Sequence, residues 1–298
     1  MYITDDGKTR LNIRIADKAR STVPLYFSQT VANGVTIDWG DGSGTETLAG
    51  TGKVNTTHTY QGAGDYVITM DPADSCTLGL GEGSPGYCVM GNTGSNGLVY
   101  CNMLQKVELG RGVTSIGDGA FNTCLSLASV TIPNGVTSIG DSAFFDCYSL
   151  ASVTIPNGVT SIVGGAFYNC CSLASIFIPN GVTSIGDSAF NTCYSLASVT
   201  IPNGVTSIGD RAFNTCLSLA SVTIPNGVTS IVGGAFYNCY GMAEYHLKPT
   251  TPPTLSGTNA FKNIPPDCVI YVPAGSLEAY QTATNWSTYA SYMREEPV

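Results

Sequence analysis

Cys124-Leu-Ser-Leu-Ala-Ser-Val-Thr-Ile-Pro-Asn-Gly-Val-Thr-Ser-Ile-Gly-Asp-Ser-Ala-Phe-Phe-Asp146 is a 23-residue unit that restarts almost letter for letter at Cys147, Cys170, Cys193 and Cys216. A divergent copy precedes it from Cys101. A fixed period of this length marks a solenoid, in which each unit stacks on its neighbours alone. Leu127, Val130 and Ile132 follow an L-x-x-V-x-I pattern, and Val130 and Ile132 alternate with Thr131 as a strand with one buried face requires. Pro133-Asn134-Gly135 turns the chain. Val136 and Ile139 suit a second short extended stretch. Ala143 and Phe144 point inward on the return, in a short helical or 3₁₀ turn, and Cys147 closes the coil. About eight inward side chains per coil leave two open apolar ends, so a single unit is expected to be unstable and the array cooperative.

The unit resembles the BspA-like leucine-rich repeat family, whose repeats read approximately L-x-x-(I/V)-x-(I/L)-P-x-x-(V/L)-x-x-I-x-x-x-A-F-x-x-C, over residues 101–239. It lacks the buried Asn ladder of the more familiar L-x-x-L-x-L-x-x-N repeat, because Gly135 stands where that Asn would fall. The resemblance implies a curved parallel-sheet solenoid and a role in adhesion or recognition at cell surfaces. Ala260-Phe261 and Cys268-Val-Ile-Tyr-Val-Pro-Ala-Gly275 revive the pattern, and Ser276–Ala290, with Leu277, Tyr280, Trp286 and Tyr289, reads as a helical cap.

Residues 1–72 do not repeat. Leu11-Asn-Ile-Arg-Ile and Val23-Pro-Leu-Tyr-Phe alternate like strands. The blocks Val35-Thr-Ile-Asp-Trp-Gly-Asp-Gly42, His58-Thr-Tyr60 and Gly64-Asp-Tyr-Val-Ile-Thr-Met70 are similar to the PKD family of immunoglobulin-like sandwiches. That similarity implies a spacer or binding module with Trp39, His58 and Tyr60 in or beside its core. The expected fold is therefore mostly β: an Ig-like (PKD-like) β-sandwich over 1–72, an irregular solenoid cap over 73–100, repeats over 101–246 and a C-terminal cap over 247–298. Thr77-Leu-Gly-Leu is the expected strand of a degenerate first coil.

Only 11% of the residues are charged, well below the usual quarter, which fits a turn-rich β surface of neutral polar groups. The net charge of −9 argues against nucleic acid, which needs basic patches. No apolar run suits a bilayer-spanning helix. The first residues carry no secretory pattern, so either a signal is absent from this chain or the protein leaves the cell another way, as a phage particle does on lysis.

Seven of the 11 cysteines, Cys101, Cys124, Cys147, Cys170, Cys193, Cys216 and Cys239, fall on the period. They read as a reduced structural ladder, each a small buried hydrophobe. Zinc is not expected, since a linear ladder without histidine offers no compact tetrahedral set. Cys76 with Cys88 is the one pair singled out for a disulfide. No cofactor is expected. His58 and His246, the only histidines, have no Ser/Asp companion pattern, and Gly79-Leu-Gly-Glu-Gly83 lacks the Lys-Ser/Thr of a phosphate loop. Asp38, Asp41 and Asp65 read as solvated turn carboxylates before a calcium site.

On the strand face, Ser129, Ser152, Ser175, Ser198 and Ser221 form one row, and Thr131, Thr154, Phe177, Thr200 and Thr223 the next. Phe177 is its one aromatic. Variation between copies collects around each cysteine, so Tyr148, Tyr168, Tyr194, Tyr237 and Tyr240 are expected, with Phe177, to make an adaptable contact edge. The expected function is non-enzymatic recognition or adhesion: binding a protein or glycan on a cell surface, from a bacterial surface or after secretion. A phage tail or virion protein for host recognition and a purely structural spacer are the alternatives. Neither nucleic acid nor membrane insertion is expected, and the sequence leaves oligomeric state open.

Overall fold

The computed structural model describes residues 6–16, 21–74, 76–81, 87–92 and 101–297. The chain is mostly β, built of stacked coils with few helices, and it divides into two compact units, Met1–Gly158 and Val159–Val298.

In the first unit, strands β1 (Thr9–Ile15), β2 (Thr22–Gln29), β3 (Val35–Asp38), β4 (Thr45–Thr47), β5 (Gly52–Thr59) and β6 (Gly64–Pro72) are antiparallel. They pair in the order β4-β3-β6-β1 and, separately, as β2 with β5. The alternation of β1 buries Leu11, Ile13 and Ile15, and Val23, Leu25, Ile37 and Ile68 are buried with them.

The next strands are β7 (Leu78–Leu80), β8 (Tyr87–Cys88), β9 (Gly91–Asn92), β10 (Leu104–Glu108) and β11 (Val113–Ile116). β1 pairs antiparallel with β10, which pairs parallel with Ser129–Thr131 of the first full coil. β2 pairs antiparallel with β7, which pairs parallel with β11. Both sheets of the early coils therefore continue into the N-terminal strands. The strand expected at Thr77-Leu-Gly-Leu exists, but in the second-strand row, because β1 already occupies the edge of β10. Gly81, at φ +66°, lies so close to Ala120 that an added Cβ would sit 2.3 Å from its Cα. Glu82 and Gly83 of that glycine-rich stretch lie outside the described residues.

In the second unit, Ser175–Phe177, Ser198–Thr200, Ser221–Ile224, Glu244–Leu247, Val269–Val272 and Met293–Glu295 form one parallel sheet. Ser184–Ile185, Ser207–Ile208, Ser230–Ile231 and Thr254–Leu255 form the other. The Pro-Asn-Gly turn between the two rows closes by a backbone bond, as from Val205 N to Pro202 O at 3.0 Å. All eight inward positions of the coil are buried, as Leu196, Val199, Ile201, Val205, Ile208, Ala212, Phe213 and Cys216 show. Burying one such side chain stabilises by roughly 1.5–3 kcal/mol. Where an Asn ladder is missing, threonines bridge the coils: Thr206 Oγ1 donates to Thr183 O and Thr229 Oγ1 to Thr206 O, at 3.3 and 3.2 Å.

The phenylalanines stack. Phe167, Phe190, Phe213, Phe236 and Phe261 lie 5.3–5.5 Å apart between successive centroids, within 14° of parallel. The last open end is closed by helix α1 (Leu277–Thr282) and a 3₁₀ helix, Trp286–Tyr292. Trp286 and Tyr289 pack against Phe261. Their polar tips, with that of Tyr280, accept the duty of a further coil: Tyr280 Oη donates to Pro249 O, Trp286 Nε1 to Pro253 O and Tyr289 Oη to Thr258 O, at 2.6–2.7 Å.

Candidate functional site

The positions that vary between copies fall into distinct rows rather than a single edge. The residue after each cysteine stands on a turn that stacks coil on coil. Ser195 N bonds Cys171 O and Ser218 N bonds Tyr194 O, so Cys171, Tyr194, Leu217 and Tyr240 form a column in the second unit. Tyr194, Leu217 and Tyr240 are 41%, 38% and 57% exposed. Tyr148 holds the same repeat position in the first unit, at 42%. These four and Phe177 (56%) are the exposed large apolar side chains found on the repeats among the described residues. Phe177 belongs to the strand face, paired in register with Thr200.

That strand row changes character toward the C-terminus. Thr223 pairs with His246, His246 with Tyr271, and Tyr271 with Arg294. His246 stacks on Tyr271 at 5.1 Å and bonds Glu296 Oε1 through Nδ1 at 2.8 Å, with Glu244 3.2 Å from Nε2. Burial alone would raise Glu296, but Lys248 and His246 outweigh it and hold the carboxyl below its ordinary value. The sequence pattern gave no sign of this cluster, because Glu296 reaches it from beyond the last recognisable copy.

Tyr168 and Tyr237 lie on the return segment and are half-buried. Tyr237 lines a cleft of about 370 Å³ with Asp210, Arg211, Asn214 and Lys262. The other varying positions here are conformational. The residue before the cysteine is left-handed at Asn169, Thr192, Thr215 and Asn238, with φ of 56–65°. The spot four residues earlier is too, at Gly165, Ser188 and Arg211, and in the next coil the left-handed residue is Gly233, five before Asn238. Aspartates join the coils at the same level: Asp210 N donates to Asp187 Oδ1 and Gly234 N to Asp210 Oδ1.

In the N-terminal region Trp39 and Tyr60 are buried, and Tyr60 Oη donates to Trp39 O at 2.9 Å. His58 stacks on Trp39 and bonds Asp41 at 2.7 Å. Hydrogen bonds from Ser43 and then from His58 draw Asp41 down to about 2. The three carboxylates considered for calcium have separate partners: Asp38 takes Gly40 N, Asp41 takes Ser43 and His58, and Asp65 takes Arg14.

All 11 cysteines are free thiols. Along the ladder, Cys147, Cys193, Cys216 and Cys239 each donate Sγ–H to the carbonyl of the phenylalanine 26 residues earlier, at 3.1–3.3 Å. Burial raises these thiols, Cys239 to about 12, so they stay protonated. Cys88 is not bonded to Cys76. It meets the ladder instead: the Sγ atoms of Cys88, Cys101 and Cys124 lie within 4.8 Å of one another, all three buried. The linear ladder is expected to offer no compact tetrahedral set; a hairpin outside the repeat folds a third thiol against two of its rungs. Its signal was a cysteine off the period.

No helix among the described residues is long and apolar enough to cross a membrane. No curated protein matches the chain. Among solved structures, a Treponema pallidum leucine-rich repeat protein is 33% identical, over 54% of this chain and 78% of its own, with a TM-score of 0.49. A Bacteroides ovatus leucine-rich repeat protein is 27% identical over 58% of this chain, with a TM-score of 0.52, and this chain spans only 50% of its length. The model of the BspA type leucine rich repeat region matches in six copies over residues 92–206 and 160–274. With its eight buried positions per coil and its stacked Phe and Cys columns, the chain belongs to the BspA-type leucine-rich repeat family.

Proposed function

We propose that this is a non-enzymatic recognition protein of the bacterial surface or secreted fraction, which binds a protein ligand through the post-cysteine column of its solenoid. The observation that carries this reading is the column Tyr194–Leu217–Tyr240. Its coils bury every inward side chain, yet hold these three large side chains 38–57% exposed at one repeated position. Aligned tyrosines supply rigid, amphipathic contact area of the kind found in binding hot spots. Tyr148, Tyr168, Tyr237 and Phe177 extend the candidate surface within their own units. Residues 1–72 serve as a PKD-like Ig-type module. The buried Trp39 and Tyr60, and the Tyr60–Trp39 hydrogen bond, support that assignment.

The test is binding of the full chain to intact cells, protease-treated cells and a glycan array. The comparison is a Tyr194→Ala/Leu217→Ala/Tyr240→Ala variant. Exposed substitutions cost little stability, within about 0.5 kcal/mol each, so the variant keeps its melting temperature. Loss of hot-spot contacts of about 2 kcal/mol lowers affinity about 30-fold or more. Unchanged affinity rules out the column. Binding that survives protease and follows the array makes the ligand a glycan, and no binding to any of the three leaves the repeats as a spacer.

A further inference from the structure

Among the described residues, the cysteine ladder brings three sulfurs close together at one place. Cys101 and Cys124 are successive rungs, and Cys88 comes from the β8–β9 hairpin, which pairs Tyr87 with Asn92 and Cys88 with Gly91. The hairpin is pinned on two sides. Val89 N donates to Ala120 O of the first coil at 2.8 Å, and Val89 O accepts from Tyr26 N of β2 at 2.9 Å. Cys88 is thereby fixed with its Sγ 3.6 Å from that of Cys124. The three thiols are 0%, 1% and 0% exposed.

The Cys88–Cys124 separation is close to what a shared cation requires. With metal–sulfur bonds of ~2.3 Å, the sulfurs stand ~3.8 Å apart around a tetrahedral centre and ~4.0 Å apart around a trigonal one. Backbone N–H groups of Met90 and Val89 lie beside the Cys88 sulfur, against the burial that raises the Cys124 thiol. Such second-layer bonds orient ligands and offset their charge. Further along, Cys147, Cys193, Cys216 and Cys239 each donate to a carbonyl instead. An all-sulfur set is soft, and it selects zinc or cuprous ion over magnesium or calcium.

We propose that Cys88, Cys101 and Cys124 form a structural site for a soft, thiophilic cation that clamps the β8–β9 hairpin onto the first coil. Binding displaces the thiol protons to solvent, and no electron is transferred. Zinc, which takes four ligands, would enlist Cys147, the next rung; cuprous ion is satisfied by three.

The experiment uses the full chain, chelator-stripped and kept reduced under anaerobic conditions, titrated separately with Co²⁺ as the spectroscopic substitute for zinc and with Cu⁺. One equivalent of either is expected to bind, Co²⁺ with thiolate-to-metal charge-transfer absorption, and to raise the melting temperature. Cys88→Ser and Cys124→Ser should abolish binding, while Cys171→Ser, off the ladder, leaves it intact. Loss of Co²⁺ but not Cu⁺ binding in Cys147→Ser marks the zinc mode; equal Cu⁺ binding with no Co²⁺ uptake marks the cuprous one. The wild-type titration decides the matter even if a serine variant fails to fold. Absence of stoichiometric binding by both ions overturns the site. So does binding that survives Cys88→Ser, or a Cys88–Cys124 disulfide found by thiol counting in metal-free protein purified without reductant.

Discussion

At the scale of the residue, the repeat holds side chains to two different standards. The eight inward positions must match in size and polarity, because each touches its own copy above and below. That made them legible from the period alone. The residues flanking the cysteine answer to backbone conformation instead. A left-handed φ suits Gly and Asn and is costly for a β-branched residue. Asn169 and Asn238 occupy it without strain, whereas Thr192 and Thr215 do not. Read as letters, the Asn/Thr exchange looks like drift or ligand tuning, since nothing in a Thr betrays its φ. The strain makes a prediction. Thr215→Asn should stabilise the chain by about 1 kcal/mol, seen as a higher urea midpoint with an unchanged slope. A lower midpoint would mean that the bond from Thr215 Oγ1 to Asn214 Oδ1 matters more than the backbone.

At the scale of the element, a coil is stable only when both of its apolar faces are covered, and the two ends of the array solve this differently. At the N-terminal end β1 lies antiparallel on β10, ending the parallel run with a strand of opposite direction. At the C-terminal end no strand hides the ring of Phe261, so Trp286 and Tyr289 do. The C-terminal cap was readable, because aromatic residues in a helical stretch follow the last copy. The N-terminal closure was not: strand pairing between residues nearly a hundred positions apart leaves no local pattern. Trp286→Ala should therefore cost about 3–5 kcal/mol and open the array from its end. Hydrogen exchange should show Val269–Val272 losing protection before Ser198–Thr200. Uniform loss across all strands would indicate that the coils melt as one body and the cap has no local role.

At the scale of the whole molecule, motif matching divides the chain after residue 72, whereas the sheets of the first unit do not stop there. Residues 1–72 hold β1 to β6, and Trp39, His58 and Tyr60 cluster there. Yet β1 and β2 donate their outer edges to β10 and β7, four and three residue pairs respectively. An exposed strand edge is a template for pairing with another chain. A chain beginning at residue 73 would present two such edges, on β10 and β7, next to the buried faces of Leu104, Val107, Leu78 and Leu80. Deleting residues 1–72 should then produce oligomers or aggregates by light scattering, while the full chain carries no such open edges there. The expected remedy is specific: residues 1–72 supplied in trans should restore a defined particle of the two fragments. A monodisperse, stable 73–298 fragment would show instead that the N-terminal strands are a detachable module, and that the first coil closes without them.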